Sequence, residues 1–515
     1  MVKKLEIIDT TLRDGEQMKN VSYSPEEKLA LTKILLDDVN VDKIEITSAR
    51  VSEGEEEAVQ KIIQWANEKN YSERIEILGF VDIKKSVDWI VNSGGRVNNI
   101  LAKGSEKHLQ TQLKKSKEQH IEDIKNTVTY AGKRGVMCNL WLEDWSNGMI
   151  NSPEYVYYLI DCLREENIKR FMLPDTLGIL HPSQVYDFIK GMVLRYPELR
   201  FDFHAHNDYG LATANTIAAV EAGIKGVHCT VNGMGERAGN APLEEVVVGI
   251  KDFLEIDTGI REEGLYSLSK TVEAFSAYRI AANKPISGEN AFTQTAGIHA
   301  DGDRKGNLYA SRLLPERFNR KRQYSLGKLS GRSNLEYNLE EIGIELTKEQ
   351  KKSVLARVIE LSDKKKTITN ADLPYIISDI LDTPGESIFK LKAYNILTSK
   401  STRPVAVIKM LYHDRKKGAE IELEEIAHGD GGYDAFMNAI RKVFKKIGFK
   451  LPLLIDYVVT IPPGGKTDAL VQCTITWELS DNKQNIITKG VNSDQVLAAI
   501  EATEKMLNIV ALLNK

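Results

Sequence analysis

Eight short runs of apolar and β-branched residues punctuate the first half of the chain: Leu5–Thr10, Lys43–Thr47, Ile75–Phe80, Asn98–Ala102, Met137–Glu143, Arg170–Asp175, Phe201–Asn207 and Gly226–Asn232. Each has the length of a strand, and the stretches between them are amphipathic at helical spacing. Helix starts are marked as well. Ser24-Pro-Glu-Glu27 is a capping box with Pro at the first helical position, and Ser152-Pro-Glu154 and His181-Pro-Ser183 open two further helices. Strand alternating with helix predicts parallel βαβ units. Eight units suit a closed barrel or an open doubly wound sheet, and the polar residues favour closure. Asp14, Glu143, Asp175, His204, His206 and Asn240 stand at or just after strand C-termini that are far apart in sequence. A closed ring puts the first strand beside the eighth and gathers such ends on one face. The expected fold is therefore α/β, with a (β/α)8 TIM barrel over residues 1–270.

The pattern changes beyond the barrel. Residues 271–390 read as a mostly helical linker region, interrupted by an irregular glycine-containing stretch from Gly288 to Gly331. That stretch is long for a connection, and it holds Thr293-Gln-Thr-Ala-Gly-Ile-His299-Ala-Asp301-Gly302, which is not a disordered composition. Residues 391–515 read as an α+β domain. Strands at 405–411 and 419–426 precede a helix from Asp434, and strands at 457–461 and 469–477 precede another from Ser493. Asp434, Ala439 and Ile440 recur as Asp494, Ala499 and Ile500, a faint repeat of two β-β-α units suited to binding or dimerisation.

Composition narrows the function classes. A chain of 515 residues exceeds one compact core, so two or three domains are expected. The net charge of −4 leaves no electrostatic footprint for nucleic acid or an anionic membrane. Cys138, Cys162, Cys229 and Cys473 lack CxxC spacing, which argues against a zinc ribbon or a disulfide framework. No segment approaches a membrane span and the N-terminus lacks an apolar h-region, so a cytoplasmic location is expected.

His204 and His206 stand at i and i+2 on a strand and point to one face. A lone histidine there would suit the core. The pair, followed by Asn207 and Asp208, suits a metal, with Asp14 and Asn240 completing a mixed oxygen and nitrogen set for Mg²⁺, Mn²⁺ or Zn²⁺. Arg13 either forms a surface ion pair or faces an oxygen that gains negative charge. Glu143 follows the apolar Leu140-Trp141-Leu142, so it is either an ordinary paired carboxylate or one raised by burial for acid/base work. Two lookalikes carry no weight. The third glycine of Gly233-Met-Gly235 to Gly239 comes one residue late for a dinucleotide loop, and Gly465-Lys-Thr467 lacks the P-loop glycine at Thr460.

Together, Asp9-Thr-Thr-Leu-Arg-Asp-Gly-Glu-Gln17, His204-Ala-His-Asn-Asp208, Asn232-Gly-Met-Gly-Glu-Arg-Ala-Gly-Asn240 and Thr295-Ala-Gly-Ile-His-Ala-Asp-Gly302 resemble the Claisen-condensing 2-oxo acid synthases, the family of 2-isopropylmalate, homocitrate and citramalate synthases. Asp430–Phe436 and Ile461–Ala469 resemble pieces of that family's C-terminal allosteric domain. Ala49–Ser52, Ile77–Asp82, Leu142–Gly148 and Thr402–Pro404 look like its citramalate branch. The resemblance implies condensation of acetyl-CoA with a short 2-oxo acid, pyruvate for the citramalate branch, followed by hydrolysis of the thioester. It also implies that Asp14, His204, His206 and Asn240 hold one divalent cation, that Arg13 and the cation polarise the keto group, and that Glu143 takes part in deprotonating the acetyl methyl. His299, Asp301 and Tyr309 would come from the linker of a partner, and Thr176 would contact substrate. Leu78, Leu101 and Trp141 match the residues that close the pocket beyond the pyruvate methyl, with tryptophan in place of the branch's tyrosine. No cation stands among them, which argues against a second carboxylate on the substrate. A homodimer with feedback by isoleucine is implied, or by leucine if 2-oxoisovalerate is the substrate and 2-isopropylmalate the product. A carbon–carbon lyase and a non-catalytic barrel are the other readings. The 240-odd residues beyond the barrel speak against the first, and the complete ligand set against the second.

Overall fold

The computed structural model describes residues 5–342, 344–363, 368, 372–380, 388–414, 418–460, 471–479 and 485–513. They form two compact units, residues 1–292 with 311–322, and residues 293–310 with 323–515.

The first unit is the predicted barrel. Its strands are β1 (Glu6–Asp9), β2 (Lys43–Ser48), β3 (Ile75–Phe80), β4 (Val97–Lys103), β5 (Met137–Glu143), β6 (Ile168–Asp175), β7 (Phe201–Ala205) and β8 (Gly226–Cys229). All neighbours are parallel, and β1 pairs with both β2 and β8, which closes the ring. Apolar residues such as Ile44, Ile46, Ile75, Ile77 and Leu140 are fully buried in its core. The Ser24 capping box forms: the Ser24 hydroxyl accepts from the Glu27 N–H at 3.3 Å, and the Glu27 carboxylate accepts from the Ser24 N–H at 2.8 Å. Such a cap stabilises a helix by about 1 kcal/mol, and it anchors Pro25–Lys33 directly after the loop that carries Arg13 and Asp14.

One feature of the barrel interior was not foreseen. Glu45, Glu76, Asn99, Asn139, Arg170 and Asp202 are all buried there and bonded to one another. Arg170 lies between Glu76 and Asp202 (2.7 Å to the latter), and Asn99 donates to Glu45 at 2.7 Å and to Glu76 at 2.9 Å. Breaking such a pair is costly because it strands a charge out of water.

On the helix Lys117–Lys133, His120 is buried, and its Nε2 accepts the Lys103 N–H at 3.1 Å. Burial, assisted by Lys115 and Lys103 against Asp123, pushes its pKa down to about 4 from 6.5. Between those values the unfolded chain binds the proton and the folded one does not, so stability is lost as pH falls from 6.5 towards 4. The expected loss is up to about 3 kcal/mol. Urea midpoints across that window should move less in His120→Gln, which keeps an acceptor; an unchanged slope would remove His120 as the cause.

In the second unit, the stretch read as irregular contains a helix, Gly297–Gly306, and two short parallel strands, β9 (Thr293–Gln294) and β10 (Gln323–Tyr324). Glycine lowers helix propensity, but here close packing overrides it. A Cβ at Gly302 would lie 2.5 Å from the Tyr309 ring. The tail corrects the repeat. Its units are β-β-β-α, with antiparallel sheets β11 (Phe389–Leu397), β12 (Val405–Asp414), β13 (Ala419–His428) and β14 (Leu453–Thr460), β15 (Val471–Glu478), β16 (Asn485–Asn492). Helices Gly432–Ile447 and Gln495–Leu513 follow them, and Ala439, Ile440, Ala499 and Ile500 are buried in a shared core. The extra strands β11 and β16 are sheet edges and half exposed, with Lys and Asn interrupting their apolar residues, so their pattern is weak. The motif at 461–469, which includes Gly465–Thr467, lies outside the described residues.

Candidate active site

β1 ends at Asp9, and the turn that follows carries Arg13 and Asp14 over the barrel mouth. β7 contributes His204, with His206 two residues on. The three ligand types converge: Asp14 Oδ2 lies 3.1 Å from His204 Nε2 and 4.0 Å from His206 Nε2, and the two imidazole nitrogens are 3.3 Å apart. All three residues are buried. Asn240 follows β8, and an isolated antiparallel bridge sets its backbone against His206. Its Nδ2 donates to the Met234 carbonyl at 2.9 Å.

The donor set fits a divalent cation. Among the described residues, Asp14 Oδ2 and Asn240 Oδ1 are buried oxygens without a hydrogen-bond donor, an arrangement that is costly unless something else meets them. Charge states agree. Burial opposes ionisation of Asp14, but the Arg13 guanidinium outweighs it and holds the carboxyl well below the usual range. Burial lowers the pKa of His204, and burial with His204 nearby lowers that of His206 to about 4. An ionised carboxylate with neutral imidazoles is the state a metal requires.

Arg13 is positioned from two sides. Its Nε donates to Glu45 Oε2 at 2.5 Å, and Nη1 lies 3.2 Å from Asp14 Oδ1. Burial disfavours its charge, yet Asp14 and Glu45 more than compensate and raise its pKa. Leu78, Leu101 and Trp141 come together on β3, β4 and β5 and are joined by Met172 of β6, an apolar cluster separate from the main core. Trp141 stands edge-on to His204, with ring centroids 5.1 Å apart.

Of the two readings of Glu143, the structure has the paired carboxylate. It is only partly buried and pairs with Lys103, whose side chain is 8% exposed, while His108 Nδ1 lies 4.0 Å away. The apolar Leu140 and Leu142 that prompted the other reading are buried in the core, whereas Glu143 ends the strand. Thr176 accepts the Asp144 N–H at 2.9 Å and thereby steadies the turn after Glu143. Asp175 caps its own loop by accepting from Ile179 and Leu180, both at 3.0 Å, while its backbone carbonyl accepts the His206 N–H at 3.3 Å. In the second unit, the rings of His299 and Tyr309 lie 4.2 Å apart, and Asp301 pairs with Lys305 at 2.6 Å. Sequence reasoning missed Glu45, Met172 and Lys103. A charge alternating with Ile44 and Ile46 in a strand buried on both faces was the signal for the first.

These features define a (β/α)8 barrel with a candidate site for one divalent cation at the C-terminal ends of its strands. Comparison with known proteins assigns its family. The HMGL-like family matches residues 4–272, the "Homocitrate synthase post-HMGL domain-like" family 286–366, and the "LeuA allosteric (dimerisation) domain" 367–511. The (R)-citramalate synthase CimA of Methanocaldococcus jannaschii is 34% identical over 98% of this chain and 99% of its own. The 2-isopropylmalate synthase of the same organism is 34% identical over 98% of this chain and 94% of its own. The chain belongs to the HMGL-like citramalate and 2-isopropylmalate synthase family. Among the described residues, no helix is long and apolar enough to cross a membrane.

Proposed function

We propose that the protein joins acetyl-CoA to pyruvate and that water then cleaves the resulting thioester, giving (R)-citramalate and CoA. The observation that carries this reading is the apolar wall of Leu78, Leu101, Trp141 and Met172 beside the Asp14–His204–His206 cluster. The wall is built of four apolar side chains and itself offers no cation to a second carboxylate.

Asp14, His204, His206 and Asn240 would hold the cation, which when bound supplies Lewis acidity at the keto and carboxylate oxygens of the 2-oxo acid. Arg13, with two nitrogens already held, turns its remaining edge to the keto oxygen and stabilises the charge that forms there as the new carbon–carbon bond closes. Glu143 takes the proton from the acetyl methyl, with Lys103 keeping its carboxylate aimed. Thr176 orients the turn on which this carboxylate sits. His299, Asp301 and Tyr309 act on the site of a partner copy, a role supported by the family resemblance of Thr295–Gly302. Mg²⁺, Mn²⁺ and Zn²⁺ all suit the ligand set. The tail makes the enzyme a feedback-regulated homodimer, with isoleucine as effector.

The near-equal identity to a 2-isopropylmalate synthase supports a second reading, condensation with 2-oxoisovalerate and feedback by leucine. Thiol release from acetyl-CoA, measured with each 2-oxo acid at equal concentration, separates the two. A hydrophobic wall discriminates by about 1–3 kcal/mol per methylene, so pyruvate is expected to lead in kcat/KM by on the order of a hundredfold. The same assay with isoleucine or leucine added reads the effector. A lead for 2-oxoisovalerate would establish the second reading.

A further inference from the structure

Trp141 does more than fill space. Its indole N–H donates to Glu45 Oε1 at 3.2 Å. Its ring stands edge-on to His228 at 4.8 Å and to His204 at 5.1 Å, and the Arg13 guanidinium carbon lies 5.4 Å from the ring centroid. Glu45 is fully buried and shares its two oxygens among three donors. Oε1 takes Trp141 and Asn99, and Oε2 takes Arg13 at 2.5 Å. Asn99 in turn bonds Glu76, which pairs with Arg170. One carboxylate thus carries both the pocket wall and the guanidinium. Met172 is the register partner of Trp141 on the next strand, is fully buried and shares one apolar cluster with the indole and Leu78. A thioether is the most adaptable apolar filler, so this is where the wall's depth is set.

We propose that Glu45 is a positioning residue that couples the pose of Trp141 to the aim of Arg13, and that Met172 is a specificity-determining residue of the pocket wall. The inference rests on the condensing reading proposed above. A 2-oxo acid too large for the pocket pushes on the indole, strains its bond to Glu45 and misdirects Arg13. The misfit therefore lowers kcat, whereas a plain steric wall would raise KM alone.

Thiol-release kinetics with pyruvate, 2-oxobutanoate (one methylene longer) and 2-oxoisovalerate test this in the wild type, Trp141→Phe and Met172→Ala. The wild type is expected to reject 2-oxobutanoate mainly in kcat. Trp141→Phe keeps an aromatic wall without the N–H, and should bring kcat for 2-oxobutanoate to within about tenfold of that for pyruvate. Met172→Ala should lower the pyruvate-over-2-oxobutanoate ratio of kcat/KM by at least about tenfold. If Met172→Ala does not fold, Met172→Val reads the same ratio, with a several-fold drop expected. Discrimination that resides in KM alone in the wild type, or an unchanged kcat ratio in Trp141→Phe, would overturn the coupling. An unchanged ratio in the folded Met172 variants would remove that residue from specificity. Wild-type preference for 2-oxoisovalerate over pyruvate would instead defeat the citramalate reading. The coupling would still be judged by how the Trp141→Phe variant divides its change between kcat and KM.

Discussion

Replacing Asp14 with Asn is expected to lower kcat on the order of a thousandfold and to abolish tight cation binding. Its Oδ2 is the atom that reaches both imidazoles, at 3.1 and 4.0 Å, and its carboxyl is held ionised by Arg13. Asn has the same shape and one acceptor oxygen, so the loss isolates the charge from the packing. Calorimetric titration with Mn²⁺, paired with thiol release, checks both halves. Wild-type cation affinity in the variant would take Asp14 out of the ligand set. A wild-type protein that binds no divalent cation would favour a non-catalytic barrel.

Arg13→Lys should cost about a hundredfold to a thousandfold in kcat with a smaller change in KM for the 2-oxo acid. Lysine keeps the charge but not the planar fork. Arg13 uses Nε and Nη1 to grip Glu45 and Asp14, and an ammonium on an unbranched stem cannot hold both and still face the substrate. If kcat were retained while KM rose, Arg13 would bind the ground state rather than the developing alkoxide. Far-ultraviolet circular dichroism and a thermal midpoint would verify that the fold survives the loss of the Glu45 contact.

The barrel was legible because two periodicities agreed. Apolar runs such as Ile75–Phe80 and Met137–Glu143 coincide with the observed strands, and Ser24-Pro25 begins its helix as its cap predicts. Closure followed from chemistry rather than pattern, since Asp14 and His204 had to meet. The convergence of Leu78, Leu101 and Trp141 into one cluster was legible through resemblance alone. What escaped notice has a common cause. Long-range side-chain pairing leaves no local trace: Lys103 reaches Glu143 across β4 and β5, and Glu45 collects Arg13, Asn99 and Trp141 from three other segments. The helix Gly297–Gly306 was hidden by glycines that exist for contact rather than flexibility, and β11 and β16 by the polarity that edge strands tolerate.

The loop before Asn240 carries a further consequence. Gly235 adopts φ +149°, and a Cβ there would fall 2.2 Å from the Asn240 amide nitrogen, well short of the next atom at 3.1 Å. Any side chain at this position collides with the amide before it disturbs the apolar core. On the proposed ligand set, a substitution at 235 both strains a backbone angle that L residues rarely adopt and displaces a cation ligand. Weakened cation binding is therefore expected together with lowered stability.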